Sequence, residues 1–232
     1  MTNAPDRTTS EIYRSPDQLS DVDSYRIELI RKSIHFCSIL IPVLYFYLPR
    51  SVALAALVPV TVAFVAVDVA RYYHEPLESW ILRTFGRLLR VRETSVEKKR
   101  LTGATCVLIA ATLAVLIFPK IIAVTSFMIL IISDLTAALV GKRFGKHPFF
   151  GKSLEGSAAF FGSALLVVAI LPKIEYRAGE YAIGATAALA GAIVEALPVD
   201  IDDNLSIPLS VGAVLWAGYT LFFPLMDIHR FG

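Results

Sequence analysis

The stretch Asp134–Ser157, DLTAALVGKRFGKHPFFGKSLEGS, decides how the chain is read. An apolar run, Ile121 to Ile132, leads straight into Asp134. Spaced small residues follow, then four cations (Lys142, Arg143, Lys146, Lys152) and an acid-glycine-serine turn, before another apolar segment begins. A membrane span that ends in this composition is suited to hold an anion at the membrane surface. A nucleoside triphosphate with its metal fits that description.

The rest of the chain has the same character. Of 232 residues 56% are hydrophobic and 18% charged, and the mean hydropathy is +0.63. Several apolar runs approach the roughly 20 residues that cross a bilayer as a helix. They are continuous and lack the period-2 alternation of a β-barrel strand. The expectation is an all-α, polytopic transmembrane bundle of seven spans: Ile27–Leu48, Val52–Tyr72, Leu101–Phe118, Ile121–Val140, Leu154–Leu171, Tyr181–Leu197 and Ile207–Phe223. Pro49, Pro119 and Pro172 fall at span ends. Pro42 and Pro59 fall inside spans and predict kinks. Residues 1–25 read as a disordered cytoplasmic tail without a signal-like apolar core, and 26–232 as one integral membrane domain. Cys37 and Cys106, each in an apolar run, are expected to be buried, inert thiols.

Lysine and arginine set the orientation. Seventeen of the 22 fall in the tail and first helix start, in Arg71–Arg100 and in Lys142–Lys152, against five in the alternate connections. This predicts a cytoplasmic N-terminus and an external C-terminus. Between the second and third spans, Trp80, Ile81, Phe85, Leu88 and Leu89 fall near one helical face and Arg83, Arg87 and Arg90 on another. That pattern suits an interfacial helix with its arginines on lipid phosphates, or a plain positive loop.

Four polar constellations stand out. Glu28, Arg31, Lys32 and His35 recur at i, i+3, i+4 and i+7 and share one helix face. An anchor at the membrane surface explains the two cations but not the acid and the histidine. Asp134, Ala138, Gly141 and Gly145 form a small-residue stripe headed by a carboxylate. Such a stripe admits a phosphate or a second helix backbone, and the carboxylate suits Mg²⁺ beside phosphate oxygens. Glu195, Asp200, Asp202, Asp203 and Asn204 form an acidic connection without lysine or arginine. It requires cations from other loops, a metal, or full solvation. Finally Lys99-Arg100-Leu101-Thr102-Gly103-Ala104-Thr105 offers hydroxyls and a glycine at a helix start, for an anion or for capping. The run Gly145-KHPFF-Gly151-Lys152-Ser153 is not a Walker motif: it has five intervening residues instead of four and follows a membrane helix. In the seven-span arrangement all four constellations face the cytoplasm, as one active site would.

These residues resemble the CTP-dependent lipid kinases, the family of dolichol kinase, phytol kinase and the CTP-using diacylglycerol kinase. The resemblance rests on E-x-x-R-K-x-x-H at Glu28–His35, R-L-T-G-A-T at Arg100–Thr105, D-x-x-A-A-x-x-G-x-x-x-G-K…G-K-S-x-E-G-S at Asp134–Ser157, and E-x-x-P…D-D-N-L-x-I-P-L at Glu195–Leu209. It implies transfer of the CTP γ-phosphate to a lipid hydroxyl with a divalent metal. Its arginine–lysine pair would be Arg31 and Lys32, its acid Asp134 and its nucleotide-loop glycine Gly141.

On this reading Asp134 holds Mg²⁺ with Asp202 or Asp203. Lys142, Lys146 and Lys152 hold the nucleotide phosphates, and Gly141, Gly145, Ser153, Glu155, Gly156, Thr102 and Gly103 line the nucleotide site. Arg31 and Lys32 stabilise the transferring phosphoryl group, and Glu195 or His35 is the general base. The partners are a membrane lipid alcohol (an isoprenoid alcohol or diacylglycerol), CTP and the bilayer. No nucleic acid is expected, and a homo-oligomer is compatible with the sequence. Two other functions fit less well. A phosphatidate cytidylyltransferase typically ends in K-x-x-x-R-D-x-x-D, which PLMDIHRFG lacks. A lipid-binding protein or transporter would place polar groups at the midplane and both mouths.

Overall fold

A computed structural model describes residues 21–86, 100–198 and 200–231, with residues 21–28 as backbone alone. The helices are α1 Asp21–Cys37, α2 Leu40–Tyr47, α3 Arg50–Ala70, α4 Glu75–Phe85, α5 Gly103–Ile117, α6 Lys120–Phe144, α7 Leu154–Ile170, α8 Ala178–Ala196 and α9 Asp203–Phe222. Strands β1 Pro148–Phe149 and β2 Lys152–Ser153 make an antiparallel hairpin between α6 and α7. The chain is an all-α membrane protein. Among the described residues four segments, Leu29–Tyr47, α3, α6 and α9, are long and apolar enough to cross a bilayer. Helices α5 and α7 are shorter apolar helices of 15 and 17 residues. At 1.5 Å per residue they run about 23–26 Å, short of the ~30 Å hydrocarbon core.

Helix α6 is the axis of the bundle. It is apolar on every face, the mark of a helix with no side left for solvent. Its most apolar window is 72% buried, against 17% for Leu29–Tyr47 and for α3. It packs against α1, α2, α5, α7, α8 and α9, with Ile129, Leu130 and Ile131 fully enclosed. Close approach around it depends on glycine. A Cβ on Gly212 would lie 2.4 Å from Phe118, and one on Gly184 2.4 Å from Val168. Helix α3 sits outside this group and rests on α5, where Thr61 Oγ1 and Thr112 Oγ1 are 2.8 Å apart.

The first expected span is two helices. Pro42 has no N–H for the Ser38 carbonyl, so the helix breaks at Ser38–Ile39 and Ile41 N donates to Ser38 O at 2.9 Å. Pro59 lies inside α3, which continues through it. Helix α1 is described from Asp21, four residues before the expected end of the tail, and residues 1–20 lie outside the described residues. Cys106 is buried, but Cys37 is exposed on the face of α1 turned away from α6. The expected interfacial helix is described as far as Gly86. Ile81 is buried, while Trp80 and Phe85 are exposed with ring centroids 6.2 Å apart. Arg87, Leu88, Leu89 and Arg90 lie outside the described residues.

At the end of α6 away from Asp134, buried charges close the α7–α8 connection. Lys173 Nζ donates to the carbonyl of Leu171 at 2.6 Å and to that of Val168, capping the end of α7. Burial holds the Lys173 pKa below the ordinary lysine value, against the opposing pull of Glu180. Glu180, 1% exposed, accepts from the amides of Ile174, Glu175 and Arg177 at 2.8, 3.0 and 2.9 Å and from the Tyr219 hydroxyl at 3.1 Å. Glu180→Ala should lower stability by roughly 2–4 kcal/mol, because it strands buried donors. Glu180→Gln, which keeps one acceptor oxygen, should lose about half as much. Thermal unfolding in detergent measures both.

Candidate functional site

The face shared by Lys32 and His35 meets α6 at Asp134. Lys32 Nζ donates to Asp134 Oδ2 and reaches the Asp134 carbonyl at 3.4 Å. His35 Nε2 lies 3.7 Å from the same carboxylate oxygen, too far for a hydrogen bond. Lys32 and Asp134 are 5% and 8% exposed. Arg31, one residue on, is half-buried. Glu28 lies in the part of α1 described by backbone alone.

A second cluster gathers around β2. Lys152 Nζ donates to Glu195 Oε1 at 2.8 Å and to Asp203 Oδ2 at 3.2 Å, and Ser157 Oγ donates to Glu195 Oε2 at 3.4 Å. Glu195 is buried. Burial alone would lower the Lys152 pKa, but the Asp203 and Glu195 carboxylates raise it above the ordinary lysine value. Lys152 therefore stays charged through neutral pH, and its contribution is lost only as alkaline pH passes the raised value. Arg100, just before α5, pairs with Asp200, whose carboxylate raises the arginine pKa further. The acids between α8 and α9 thus meet cations from two other connections.

The small-residue stripe is used for packing. A Cβ on Gly141 would stand 3.0 Å from Ser153 Oγ, and one on Gly156 3.1 Å from the Ala137 carbonyl and 3.3 Å from Gly141 Cα. Gly145 also abuts Ser153. Here α6 and α7 touch backbone to backbone. Ser153 Oγ caps α7 by accepting from Gly156 N at 3.1 Å. Glu155 turns to His147, with Oε1 2.7 Å from Nδ1. Lys142 and Lys146 are exposed at the end of α6 and on the hairpin approach. The Walker-like run folds as a hairpin between two helices.

The start of α5 holds an anion, but it is the chain's own. Asp68 Oδ2, on the last turn of α3, accepts from Thr102 N at 2.7 Å, Thr102 Oγ1 at 3.0 Å and Thr105 Oγ1 at 2.6 Å. Arg71 Nε lies 3.4 Å from Asp68 Oδ1, and its Nη2 donates to the Arg100 carbonyl at 2.7 Å. Thr102, expected on a nucleotide with Gly103, is committed to this carboxylate. Sequence reading passes over Asp68 and Glu180. The available signal was a carboxylate in or beside an apolar run.

The expected metal set is not gathered. Among the described residues no group of three or more His, Cys, Asp and Glu is placed to hold a metal ion. Asp202 Oδ1 caps α9 by accepting from Asn204 N at 3.0 Å, and Asp203 faces Lys152. What remains is Asp134 with His35 beside it. This suits an ion that takes few protein ligands and fills its shell from phosphate and water, as Mg²⁺ does. It does not suit a metal held by protein alone.

These groups fall at one end of the bundle. Asp68 leads to Thr102 and, through Arg71, to the Arg100 carbonyl; Arg100 pairs with Asp200; and Lys152 joins Asp203 to Glu195. Helix α7, capped by Ser153, meets α6 between Ala137 and Gly145, just beyond Asp134. The class so defined is a helical membrane protein with paired, largely buried charges at one end.

Comparison with known proteins agrees. The chain is 31% identical over 191 residues to the uncharacterized protein RP860 of Rickettsia prowazekii, an alignment covering 81% of this chain and 93% of that protein; the two belong to one family. Partial similarity extends to lipid kinases. CTP-dependent diacylglycerol kinase 1 of Schizosaccharomyces pombe is 28% identical over 164 residues, 64% of this chain and 73% of the kinase. Phytol kinase of Synechocystis is 31% identical over 110 residues, 44% of this chain and less than half, 46%, of the kinase. No family model matches, and no solved structure matches. These kinase relatives point to a phosphotransferase.

Asp68→Ala should cost about 3 kcal/mol, because it removes three hydrogen bonds and leaves Arg71 buried beside no carboxylate. Asp203→Asn should cost under ~1 kcal/mol, since its side chain is 27% exposed and Glu195 still faces Lys152. Chemical or thermal unfolding of the two variants side by side tests the contrast.

Proposed function

We propose that the chain is a CTP-dependent kinase that phosphorylates the hydroxyl of a membrane lipid alcohol, an isoprenoid alcohol or diacylglycerol. The observation that carries this reading is the buried Lys32–Asp134 pair with His35 beside it, in a chain similar to two lipid kinases. Ionisable groups enclosed in an apolar bundle mark function more often than anchoring. The excess of lysine and arginine in alternate connections supports seven spans, a cytoplasmic N-terminus and an active end facing the cytoplasm.

In this reading the lipid oxygen bonds to the γ-phosphorus as the bond to the β-phosphate oxygen breaks, and CDP leaves. Phosphoryl transfer asks mainly for positioning and charge neutralisation. Lys142, Lys146 and Lys152 bind the nucleotide phosphates, while Arg31 and Lys32 face the γ-phosphoryl group. A divalent ion, when bound, would neutralise phosphate charge, and Asp134 is the residue that would hold it. His35 takes the hydroxyl proton. It is preferred to Glu195, whose two oxygens already accept from Lys152 and Ser157. The alcohol enters laterally from the lipid.

The deciding experiment incubates purified protein with γ-labelled CTP and a panel of phytol, farnesol, polyprenol and diacylglycerol. Label in a lipid phosphate, with CDP released, supports the reading. A CDP-lipid with pyrophosphate would make the protein a cytidylyltransferase, and no turnover of any acceptor would remove the kinase reading.

Two variants probe the roles. Asp134→Asn should lower turnover by about two orders of magnitude or more, and should also destabilise the fold by roughly 3–5 kcal/mol by leaving Lys32 enclosed without its counter-charge. The double variant Lys32→Met with Asp134→Leu should recover stability without activity; recovery of both would make the pair purely structural. Arg31→Lys keeps the charge but not the bidentate fork. Turnover should fall about tenfold, from one charge-assisted contact of ~1.5–3 kcal/mol. Unchanged kinetics would reduce Arg31 to an anchor.

A further inference from the structure

The α6–α7 connection carries an aromatic feature that no step of the proposed reaction uses. Phe149 pairs across the hairpin with Lys152, and Phe150 and Gly151 make the turn. Their φ angles are 47° and 92°, the signature of a two-residue hairpin turn with both residues left-handed. Asn or Gly normally occupies the first place. A bulky ring there is a genuine outlier, and such strain is retained where it serves a function. What it achieves is to hold a phenyl ring at the tip. Phe150 is 60% exposed, and its ring centroid is 4.8 Å from that of Phe149. Phe144 and Leu154, at the feet of the hairpin, are 56% and 49% exposed.

Charge surrounds this apolar patch with one sign. Arg143 lies over the Phe144 ring at 5.4 Å, and Lys142 and Lys146 flank it in the sequence. Glu155, the acid nearest in sequence, is engaged with His147. Aromatic rings with a rim of cations are what the headgroup layer of an anionic bilayer accepts. The level is also right. The hairpin joins α6, long enough to cross a bilayer, directly to the apolar α7. Two residues per strand at ~3.3 Å give the hairpin a reach of about 7 Å, comparable with the headgroup layer of roughly 5–7 Å per leaflet.

We propose that the hairpin Pro148–Ser153 is a membrane-surface probe. It seats the exposed Phe150 ring in the interface of an anionic bilayer, with the half-buried Phe149 packed behind it, and its second strand carries Lys152 to Glu195 and Asp203. Because Phe149 and Lys152 are cross-strand partners, the seat of the aromatic tip in the lipid fixes where Lys152 enters the polar cluster. The lipid surface and the polar end are thereby coupled through one pair of residues. This inference goes beyond the kinase reading; it rests on the hairpin tip and the cations beside it, of which that reading places Lys142 and Lys146 on the nucleotide.

The test uses full-length protein with Trp80→Phe and Trp216→Phe to clear the background, and Phe150→Trp to place one indole at the tip. It is reconstituted in vesicles of phosphatidylcholine and phosphatidylglycerol, with bromine either near the headgroup end or near the methyl end of the acyl chains. The expected result is blue-shifted emission that loses most of its intensity with the shallow bromines and little with the deep ones. Water-like emission, unquenched by either lipid, would overturn the proposal. So would quenching by added CTP without quenching by lipid, which would make the tip a base-stacking element. Neither readout depends on turnover, so the kinase reading and this one fail separately.

Discussion

A lysine and a carboxylate enclosed together, Lys32 and Asp134, are the interaction on which the active end depends. Neither charge is tolerable alone in an apolar bundle, where an unpaired partner costs several kcal/mol. The pair therefore fixes where α1 can lie on α6. The need is real, because the first helical segment is otherwise peripheral. Its second half, α2, packs on the far end of α6, where Tyr45 is buried and Lys120 Nζ stands 5.6 Å from its ring. A segment broken at Ser38–Ile39 is thus pinned by a charge contact on each side of the break. One of those contacts brings Arg31, His35 and Asp134 to one place.

The central helix explains why a short sequence can do this. Helix α6 turns a half-buried line, Met128, Ile132 and Leu135, outward, and neighbours enclose most of the rest, so the polar residues on its buried faces must be satisfied by them. Ser153, Gly141 and Gly156 show the consequence at its exit. Two backbones close to van der Waals contact, and the serine that caps α7 fills the remaining space. The stripe that suits a phosphate by composition is spent on helix packing. In the proposed reaction it is the cations around it, Lys142, Lys146 and Lys152, that meet the phosphates.

Much of this was legible. The helical class follows from continuous apolar runs, and the spacing of Lys32 and His35 foretold a shared face turned inward. The pairing of the acidic connection with cations from elsewhere was one of its stated alternatives. What was not legible has physical causes. Asp68 and Thr102 are 34 residues apart, and nothing local in either says that a carboxylate from one helix caps another. Asp202 caps α9 through Oδ1, a role its sequence position shares with metal binding because a cap and a ligand use the same kind of oxygen. The first expected span conceals two helices because one proline removes a single donor, and the length of the apolar run does not record it.

The two ends of the bundle both hold buried charges, and what those charges face separates their roles. At the far end Glu180 and Lys173 are bonded to backbone amides and carbonyls that cannot leave, and exchange for a ligand would unmake a helix end. At the Asp134 end, Lys32, Lys152 and Arg100 face carboxylates on other side chains. Such a pair can trade one partner for a phosphate or a metal while both helices stay intact. Between the ends, α6 encloses Ile129, Leu130 and Ile131. An exchangeable set of charges at one end, against a backbone-bonded far end, is the arrangement suited to chemistry at a membrane surface.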